Sequence, residues 1–199
     1  MTLAGKNFET DVLIVGGGAA ATMAAFECAE AGVRVIQATK GRATSGTTTV
    51  ARGGFAVAMG KDDSPEQHLA EVLEHGGELI NPELAAVWTT DIVDVVNDMH
   101  EWGAEFILDD NGDLDLKMFP GHNHARAVHH FDTTGNMVTK ALSKKLRGDD
   151  RIEKHSLTSI VDLVKDGTRV TGAWGVDYKT GTLVAYAAKQ VILCTGGGS

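Results

Sequence analysis

The stretch Asp11–Lys40, DVLIVGGGAAATMAAFECAEAGVRVIQATK, decides the fold. It opens with the apolar run Val12–Val15, in which β-branched residues predominate, as in a strand that is buried on both faces. An alanine-rich segment with high helix propensity, Ala19–Ala31, follows and ends at Gly32. Val33–Ile36 then reads as a second strand. We therefore predict a strand, a helix and a second, parallel strand within about 30 residues.

A glycine turn joins the first predicted strand to the helix, and its sequence GGGAAA at 16–21 fits G-x-G-x-x-G/A. Gly16 permits a tight turn, Gly18 has no Cβ to keep a pyrophosphate from the backbone, and Ala21 lets helix and strand pack closely. The helix N-terminus directs free N–H groups and the positive end of its dipole at the phosphates. In this context the pattern favours a dinucleotide site over a purely structural glycine turn.

Composition limits the class of protein. The 199 residues are 43% apolar, which is ordinary for a globular domain with or without a small subdomain. Eighteen basic against 27 acidic residues give a net charge of −9, which argues against nucleic acid or an anionic membrane as a partner. No apolar run reaches the length of a membrane span, so we expect no direct membrane insertion. The first ten residues lack the apolar segment of a signal peptide, which favours a cytoplasmic location.

The rest of the chain alternates helix and strand signals. Ser64-Pro65 and Asn81-Pro82 predict two helix starts. Apolar residues of the second helix recur at three- and four-residue spacing and are predicted to lie in the core: Leu84, Val87, Trp88, Ile92, Val95, Val96 and Met99. Short strands are predicted at 152–156, 158–165, 169–178, 182–187 and 191–194. The fold class is therefore α/β, with a Rossmann-like parallel sheet and a small antiparallel β subdomain.

Three further stretches are candidates for ligand contact. The Gly-, Ser- and Thr-rich segment Gly41–Gly54 follows the second strand, where parallel sheets bind ligands, although a flexible surface loop is the alternative. Residues 119–135 hold four of the eight histidines, but no Cys or Glu is interleaved and the spacing matches no zinc pattern, so no metal site is predicted. The last strand runs into Thr195-Gly196, a second point where the sheet could meet the ligand.

The end of the second strand bears on which dinucleotide binds. An NAD site calls for an acidic residue about 20 positions after the glycines, to bind the ribose hydroxyls. Here that strand ends Gln37-Ala38-Thr39-Lys40, with no acid. The sequence therefore argues against a plain NAD-dependent dehydrogenase.

Five motifs occur in order: the GGGAAA turn, Thr-Lys after the second strand, a Ser/Thr loop ending ARGG, FDTTG after a His/Arg run, and a final VILCTGGG. In this order they resemble the flavoprotein subunit family of succinate dehydrogenase and fumarate reductase, which includes L-aspartate oxidase. The resemblance covers essentially all 199 residues but only the N-terminal part of such a protein. It implies one FAD-binding domain over residues 1–199, with capping and C-terminal domains expected outside them.

The resemblance also implies which residues contact FAD. The pyrophosphate would meet the glycine turn and the final strand, the adenosine ribose the end of the second strand, and the flavin the Ser/Thr loop. A polar contact from Asp132 and a backbone contact with adenine near Ser159 complete the set. The implied residues are Gly16, Gly18, Ala19, Ala20, Ala21, Thr39, Lys40, Gly46, Thr47, Thr48, Ala51, Gly53, Gly54, Asp132, Ser159, Thr195 and Gly196.

Two departures from the family pattern concern the chemistry. Respiratory members carry a histidine that bonds covalently to the flavin where this chain has Thr47, so we expect noncovalent FAD and fumarate reduction or oxidase chemistry. Aspartate oxidases place a Glu near the substrate amine where this chain has Phe119, which favours a C4 dicarboxylate of the succinate and fumarate type. The Gly-His-x-His-x-Arg run at 121–126 looks more like aspartate oxidase, which stays an alternative, as does a non-catalytic flavin-binding module. Phe119 and His122 are the predicted substrate contacts.

In this family a hydride passes between the flavin and the dicarboxylate, and an arginine beyond the Thr-Gly-Gly motif moves the proton. The resemblance therefore implies no catalytic residue within these 199 residues, and we expect the chain alone to be inactive. It also implies a role in electron transport with an electron-transfer partner protein, through which a cytoplasmic protein could associate with a membrane.

Overall fold

The computed structural model describes residues 5–197 of the chain. Within that range the strands are β1 (Lys6–Val15), β2 (Val35–Thr39), β3 (Phe55–Ala56), β4 (Ala127–Val128), β5 (Ile152–Ser156), β6 (Thr158–Asp166), β7 (Arg169–Asp177) and β8 (Thr182–Leu193). The α-helices are α1 (Ala19–Glu30), α2 (Thr47–Val50), α3 (Pro65–Gly76), α4 (Pro82–Glu101) and α5 (Thr134–Arg147).

The chain divides into two compact units that differ in charge. The sheet unit contains the residues up to Thr49 and those from Leu142 onward, and the helical unit is Val50–Ala141. The sheet unit has 13 basic and 10 acidic residues, whereas the helical unit has 5 basic and 17 acidic residues. The net negative charge of the chain therefore comes from the helical unit, and the glycine turn predicted to bind the pyrophosphate lies in a unit with a net positive charge. The sequence predicts one FAD-binding domain over residues 1–199. The division into two units does not test that prediction.

The sheet unit is built on one six-stranded sheet with the order β5-β2-β1-β8-β7-β6. The first four strands are parallel, and β8, β7 and β6 are antiparallel. The predicted fold class is thus confirmed. The two strands predicted at 182–187 and 191–194 are one strand, β8, because its first half pairs with β7 while its second half continues along β1.

One core cluster of the sheet unit combines residues of the parallel and the antiparallel strands. Leu13, Val15, Ile36 and Ala38 of the parallel strands form one buried cluster with Ala173, Val184, Tyr186 and Ala188. Helix α1 packs against β1 and β2, and Ala21 is 0% exposed. This agrees with the requirement for a small residue at the last position of the glycine motif.

The helical unit contains the two helices that the Pro signals predict. The side chain of Ser64 accepts a hydrogen bond from Gln67 N (3.3 Å), and that of Asn81 accepts one from Leu84 N (3.1 Å). A proline follows each cap at the first helical position, where its missing N–H costs nothing. Both predicted starts are confirmed.

The prediction of the buried face of α4 is wrong for its first half. Leu84, Val87 and Trp88 are 67%, 57% and 44% exposed. The helix buries Ala85 and Thr89 there instead, followed by Val96 and Met99. Helical spacing identifies an apolar stripe but does not say that the structure covers it, and here the smaller neighbours of the stripe face inward.

Two further features concern membrane insertion and the cysteines. Among the described residues, no helix combines the length and hydropathy that a membrane span requires. Cys28 and Cys194 are free and half-buried, and burial raises the pKa of both thiols. Neither therefore has the lowered thiol pKa of a nucleophile.

Candidate functional site

The glycine turn after β1 leaves no room for side chains. Gly16 has φ +141°, and a Cβ there would lie 2.1 Å from the carbonyl oxygen of Cys194. A Cβ at Gly17 would lie 2.5 Å from Oγ1 of Thr39. The sequence motif allows any residue at position 17. The structure shows why glycine is needed there, because β2 places the side chain of Thr39 against Gly17.

The glycine turn leads into the start of helix α1. The Ser/Thr loop, part of Gly41–Gly54, contacts the first residues of that helix. Gly18 is the N-cap residue and, being glycine, has no side chain of its own to cap the helix. Ala19 N donates a hydrogen bond to Oγ1 of Thr48 (3.1 Å), and a Cβ at Gly46 would lie 3.7 Å from Gly18 Cα. The structure thus brings the predicted residues of both segments together at a helix N-terminus, an arrangement that favours bound anions.

Three strand ends meet at this edge of the parallel sheet. Val15 pairs with Ala38 of β2 and with Leu193 of β8. Lys40 and Thr195-Gly196 therefore leave the sheet at the same edge as the glycine turn, and all three are exposed. Thr39 is buried, and its Oγ1 accepts a hydrogen bond from Gly41 N (3.4 Å). Gly198, the last residue of the quoted C-terminal motif, lies outside the described residues.

The corner between β5 and β6 holds the segment that follows β2. Leu157 N donates to Gly41 O (2.8 Å), and Ala43 N donates to Oγ of Ser156 (3.3 Å). Ser159, the predicted adenine neighbour, lies within β6 opposite Val176. Its contact with a nucleotide stays a prediction.

In the helical unit, a second glycine pair is closely packed. Gly54 has φ +142°, and a Cβ there would lie 2.3 Å from the carbonyl oxygen of Val128. A Cβ at Gly53 would lie 3.6 Å from Cζ of Phe119. The structure therefore places one predicted flavin-lining residue beside one predicted substrate residue.

The start of α5 is tied to the same segment. Gly135 N donates a hydrogen bond to Ala51 O (3.0 Å), so the FDTTG motif lies against the ARGG motif within the helical unit. Asp132 is exposed and follows Phe131, whose φ is +47°. A left-handed backbone at a bulky residue is strained, and such strain is concentrated at ligand sites.

The most buried charge in the described chain is Arg126, which is 0% exposed. Its Nε and Nη2 donate to the two carboxylate oxygens of Asp63 (2.6 and 2.7 Å), and its Nη1 donates to Glu71. Nδ1 of His122 lies 3.4 Å from Oε2 of Glu71. We call Asp63, Glu71, His122 and Arg126 the arginine cluster. The cluster joins the His/Arg run to Glu71 of α3 and to Asp63, which precedes the N-cap residue of α3.

Sequence reasoning did not find the arginine cluster. Its acids precede Arg126 by 63 and 55 residues, so no local spacing indicates the pairing. His122, a predicted substrate residue, belongs to this cluster. His68 packs beside it with its ring centroid 5.9 Å from that of His122. The described residues contain no group of three His, Cys, Asp or Glu side chains that could hold a metal ion.

The arginine cluster predicts an acid dependence of stability. Burial alone would raise the pKa of Glu71, but hydrogen bonds from Arg126 and Asn123 outweigh it and lower that pKa from 4.5 to about 2. The unfolded chain therefore binds a proton at higher pH than the folded chain does, so this stability is present above pH 4.5 and is lost as pH falls toward 2.

Urea unfolding measured between pH 6 and pH 2.5 tests this dependence. We expect the free energy of unfolding of the wild-type chain to fall more steeply with acid than that of Glu71→Gln, because glutamine does not titrate. Equal slopes for the two proteins would contradict the role assigned to Glu71.

Comparisons with known proteins agree with this geometry. The family model described as "FAD binding domain" matches residues 11–199. One subunit of the CoM/CoB fumarate reductase of Methanothermobacter marburgensis is 35% identical over 96% of this chain and 35% of its own length. An L-aspartate oxidase of Streptomyces coelicolor is 34% identical over 94% of this chain and 33% of its own.

A solved structure, Mycobacterium smegmatis Sdh1 in complex with UQ1, superposes with a TM-score of 0.91 at 31% identity. The superposition covers 96% of this chain and 34% of that chain. The chain thus spans about a third of the length of the relatives that it matches. Since the family model covers nearly all of its residues, the chain belongs to the FAD binding domain family found in the flavoproteins of fumarate reductase, succinate dehydrogenase and L-aspartate oxidase.

Proposed function

We propose that the chain forms the FAD-binding part of a flavoprotein oxidoreductase of fumarate reductase and succinate dehydrogenase type. The observation that carries the proposal is the glycine turn at the carboxyl edge of the parallel sheet. Gly16 and Gly17 exclude any Cβ there, and α1 begins directly behind them with a glycine as its N-cap residue. This is the arrangement by which a backbone approaches a pyrophosphate.

The residues present fit FAD in chemistry as well as in space. When bound, FAD supplies hydride transfer. The N–H groups of Gly16 and Ala19 already donate to Ala38 O (2.9 Å) and to Oγ1 of Thr48 (3.1 Å), so the N–H groups of Gly17 and Gly18 would hold its pyrophosphate. The exposed Lys40 would add a positive charge by the ribose. Thr39 faces Gly17 and Gly41, so we assign it to shaping the turn as well as to the ribose region. Gly53 and Gly54 would admit the flavin ring closely in the helical unit.

We further propose that this FAD is held without a covalent bond. The segment Gly41–Gly54 contains no histidine, and Thr47 stands where covalent family members carry one. The expected result is a yellow protein that releases all of its flavin into the supernatant on acid precipitation. The absorbance of the supernatant at flavin wavelengths measures the release, and flavin that stays with the precipitate would contradict the proposal.

For the substrate we propose a C4 dicarboxylate without an amine. Phe119 beside Gly53 provides no carboxylate for an ammonium group. L-aspartate oxidase is the second candidate, favoured by the histidine run and by a relative of that name at 34% identity. His122 lies against Glu71, so we assign it first to supporting the loop, and its contact with substrate stays a prediction.

Activity of the protein as expressed from its own gene discriminates between these substrates. We expect fumarate reduction driven by a reduced dye, or succinate oxidation, and no oxidation of aspartate. Hydrogen peroxide formed from aspartate without fumarate reduction would favour the oxidase. Flavin binding without activity on any of the three would favour a non-catalytic module.

The Methanothermobacter relative is named as one subunit of a reductase, which supports the proposal of an electron-transfer partner. We propose a cytoplasmic protein that functions in electron transport and associates with a membrane only through such a partner. Fractionation of cells into cytosol and membranes before and after a high-salt wash tests this location. Flavoprotein that resists the wash and requires detergent would contradict purely peripheral association.

A further inference from the structure

Strand β2 contains a buried polar side chain, Gln37, that no motif explains. All five residues of β2 are buried, and Gln37 is 1% exposed. A central parallel strand is usually apolar throughout. Nε2 of Gln37 donates a hydrogen bond to the carbonyl oxygen of Gly16 (3.1 Å). Its Oε1 is buried and has no hydrogen-bond partner among the described residues.

The contact fixes how the amide of Gln37 is turned. A carbonyl oxygen only accepts hydrogen bonds, so the NH₂ group and not the oxygen must face Gly16. Gln37 and Thr39 are two residues apart and therefore lie on one face of β2. The first contacts Gly16 and the second lies beneath Gly17. Two side chains of β2 thus shape two consecutive residues of the glycine turn.

Holding the carbonyl of Gly16 also orients the next N–H group. The peptide between Gly16 and Gly17 is planar and trans, so its N–H points opposite to its C=O. With the carbonyl directed at Gln37, the Gly17 N–H points away from that side chain. This N–H has no acceptor in the described part of the chain. A buried donor without a partner calls for one, and a phosphate oxygen is the acceptor that this turn is built to receive.

We propose that Gln37 is a positioning residue for the pyrophosphate site. Its amide holds the Gly16–Gly17 peptide so that the Gly17 N–H is presented to a pyrophosphate oxygen. This inference rests on the proposed FAD function of the same turn. A purely structural role for Gln37 is disfavoured because its unpartnered Oε1 works against folding.

The substitution Gln37→Leu tests the proposal, since leucine fills a similar space without donor or acceptor. The FAD-free variant should melt at the wild-type temperature or higher, because the unpartnered acceptor is gone. Its Kd for FAD, measured by quenching of flavin fluorescence, should rise about tenfold, the effect of one lost hydrogen bond. Gln37→Glu should weaken binding at least as much, because a carboxylate cannot donate to Gly16.

Gln190→Leu is the matched control, because Gln190 is exposed on β8 of the same sheet. It should bind FAD as the wild type does. A second readout needs no cofactor: the amide resonance of Gly17 in the ¹⁵N–¹H spectrum of FAD-free protein should shift in Gln37→Leu and stay in place in Gln190→Leu.

A Gln37→Leu variant with the wild-type Kd and the wild-type Gly17 resonance overturns the proposal. An unfolded Gln37→Leu variant also overturns it, because the role of Gln37 is then structural. A wild-type chain that takes up no FAD overturns the proposed function instead, and the Gly17 resonance still decides whether Gln37 orients the turn.

Discussion

Gly16→Ala is expected to abolish tight FAD binding. The alanine Cβ would lie 2.1 Å from the backbone carbonyl of Cys194, and φ +141° is strained for any residue with a side chain. The turn and the end of β8 cannot both keep their places, and backbone strain of this kind costs about 1–3 kcal/mol. A Kd for FAD that is about 100-fold higher is the result expected from fluorescence titration.

Gly17→Ala provides a version of this test that can be rescued. Its Cβ would meet the side chain of Thr39 and not a backbone atom, 2.5 Å from Oγ1 and 3.1 Å from Cβ. The double variant Gly17→Ala/Thr39→Ala removes the closer of these two atoms. We expect the single variant to bind FAD weakly and the double variant to recover part of the affinity. No such partner substitution can rescue Gly16→Ala.

Gly148→Ala is the control for both glycines. A Cβ at Gly148 would make only ordinary contacts, the nearest at 3.6 Å, and its φ lies outside the left-handed region. This variant should bind FAD normally. A Gly16→Ala variant that binds FAD with wild-type affinity would contradict the assignment of the glycine turn as the pyrophosphate site.

The sheet half of this site could be predicted because its signals are local. A β-branched run, a glycine turn and an alanine-rich helix follow one another in Asp11–Lys40, and each has one physical interpretation. Gly17 and Gln37 could not be assigned in the same way. Their roles depend on where β2 lies beneath the turn, which is a pairing between segments about 20 residues apart.

Two errors show what local patterns leave undetermined. The segment Ala188–Gln190 lies between two predicted strands, yet β8 runs through it. Pairing with β1 on one side supplies the hydrogen bonds that propensity does not predict. In α4 the spacing of Leu84 and Trp88 correctly indicated a helix, but only packing decides which face is covered.

Arg126→Met is expected to destabilise the helical unit by about 3–5 kcal/mol, as measured by urea unfolding at pH 7. Asp63 and Glu71 would keep their buried positions, with side chains only 1% and 8% exposed, but would lose the guanidinium that neutralises them. The cost comes from the two unpaired carboxylates and not from the missing arginine itself. The triple variant Asp63→Asn/Glu71→Gln/Arg126→Met should therefore recover most of the wild-type stability.

The pH dependence separates this explanation from a loss of packing. In the wild-type chain Arg126 holds the pKa of Asp63 and that of Glu71 below their usual values, against burial, which raises them, so acid weakens the fold. Without Arg126, burial is opposed by the smaller effects of the hydrogen bonds that Ser64 donates to Asp63 and Asn123 donates to Glu71. We therefore expect the folded chain to bind protons more tightly than the unfolded chain does. The contribution of these carboxylates to the stability of Arg126→Met should then rise as pH falls from 7 toward 4, opposite in sign to the wild type. A uniform loss at every pH would mean that Arg126 acts through its volume rather than its charge.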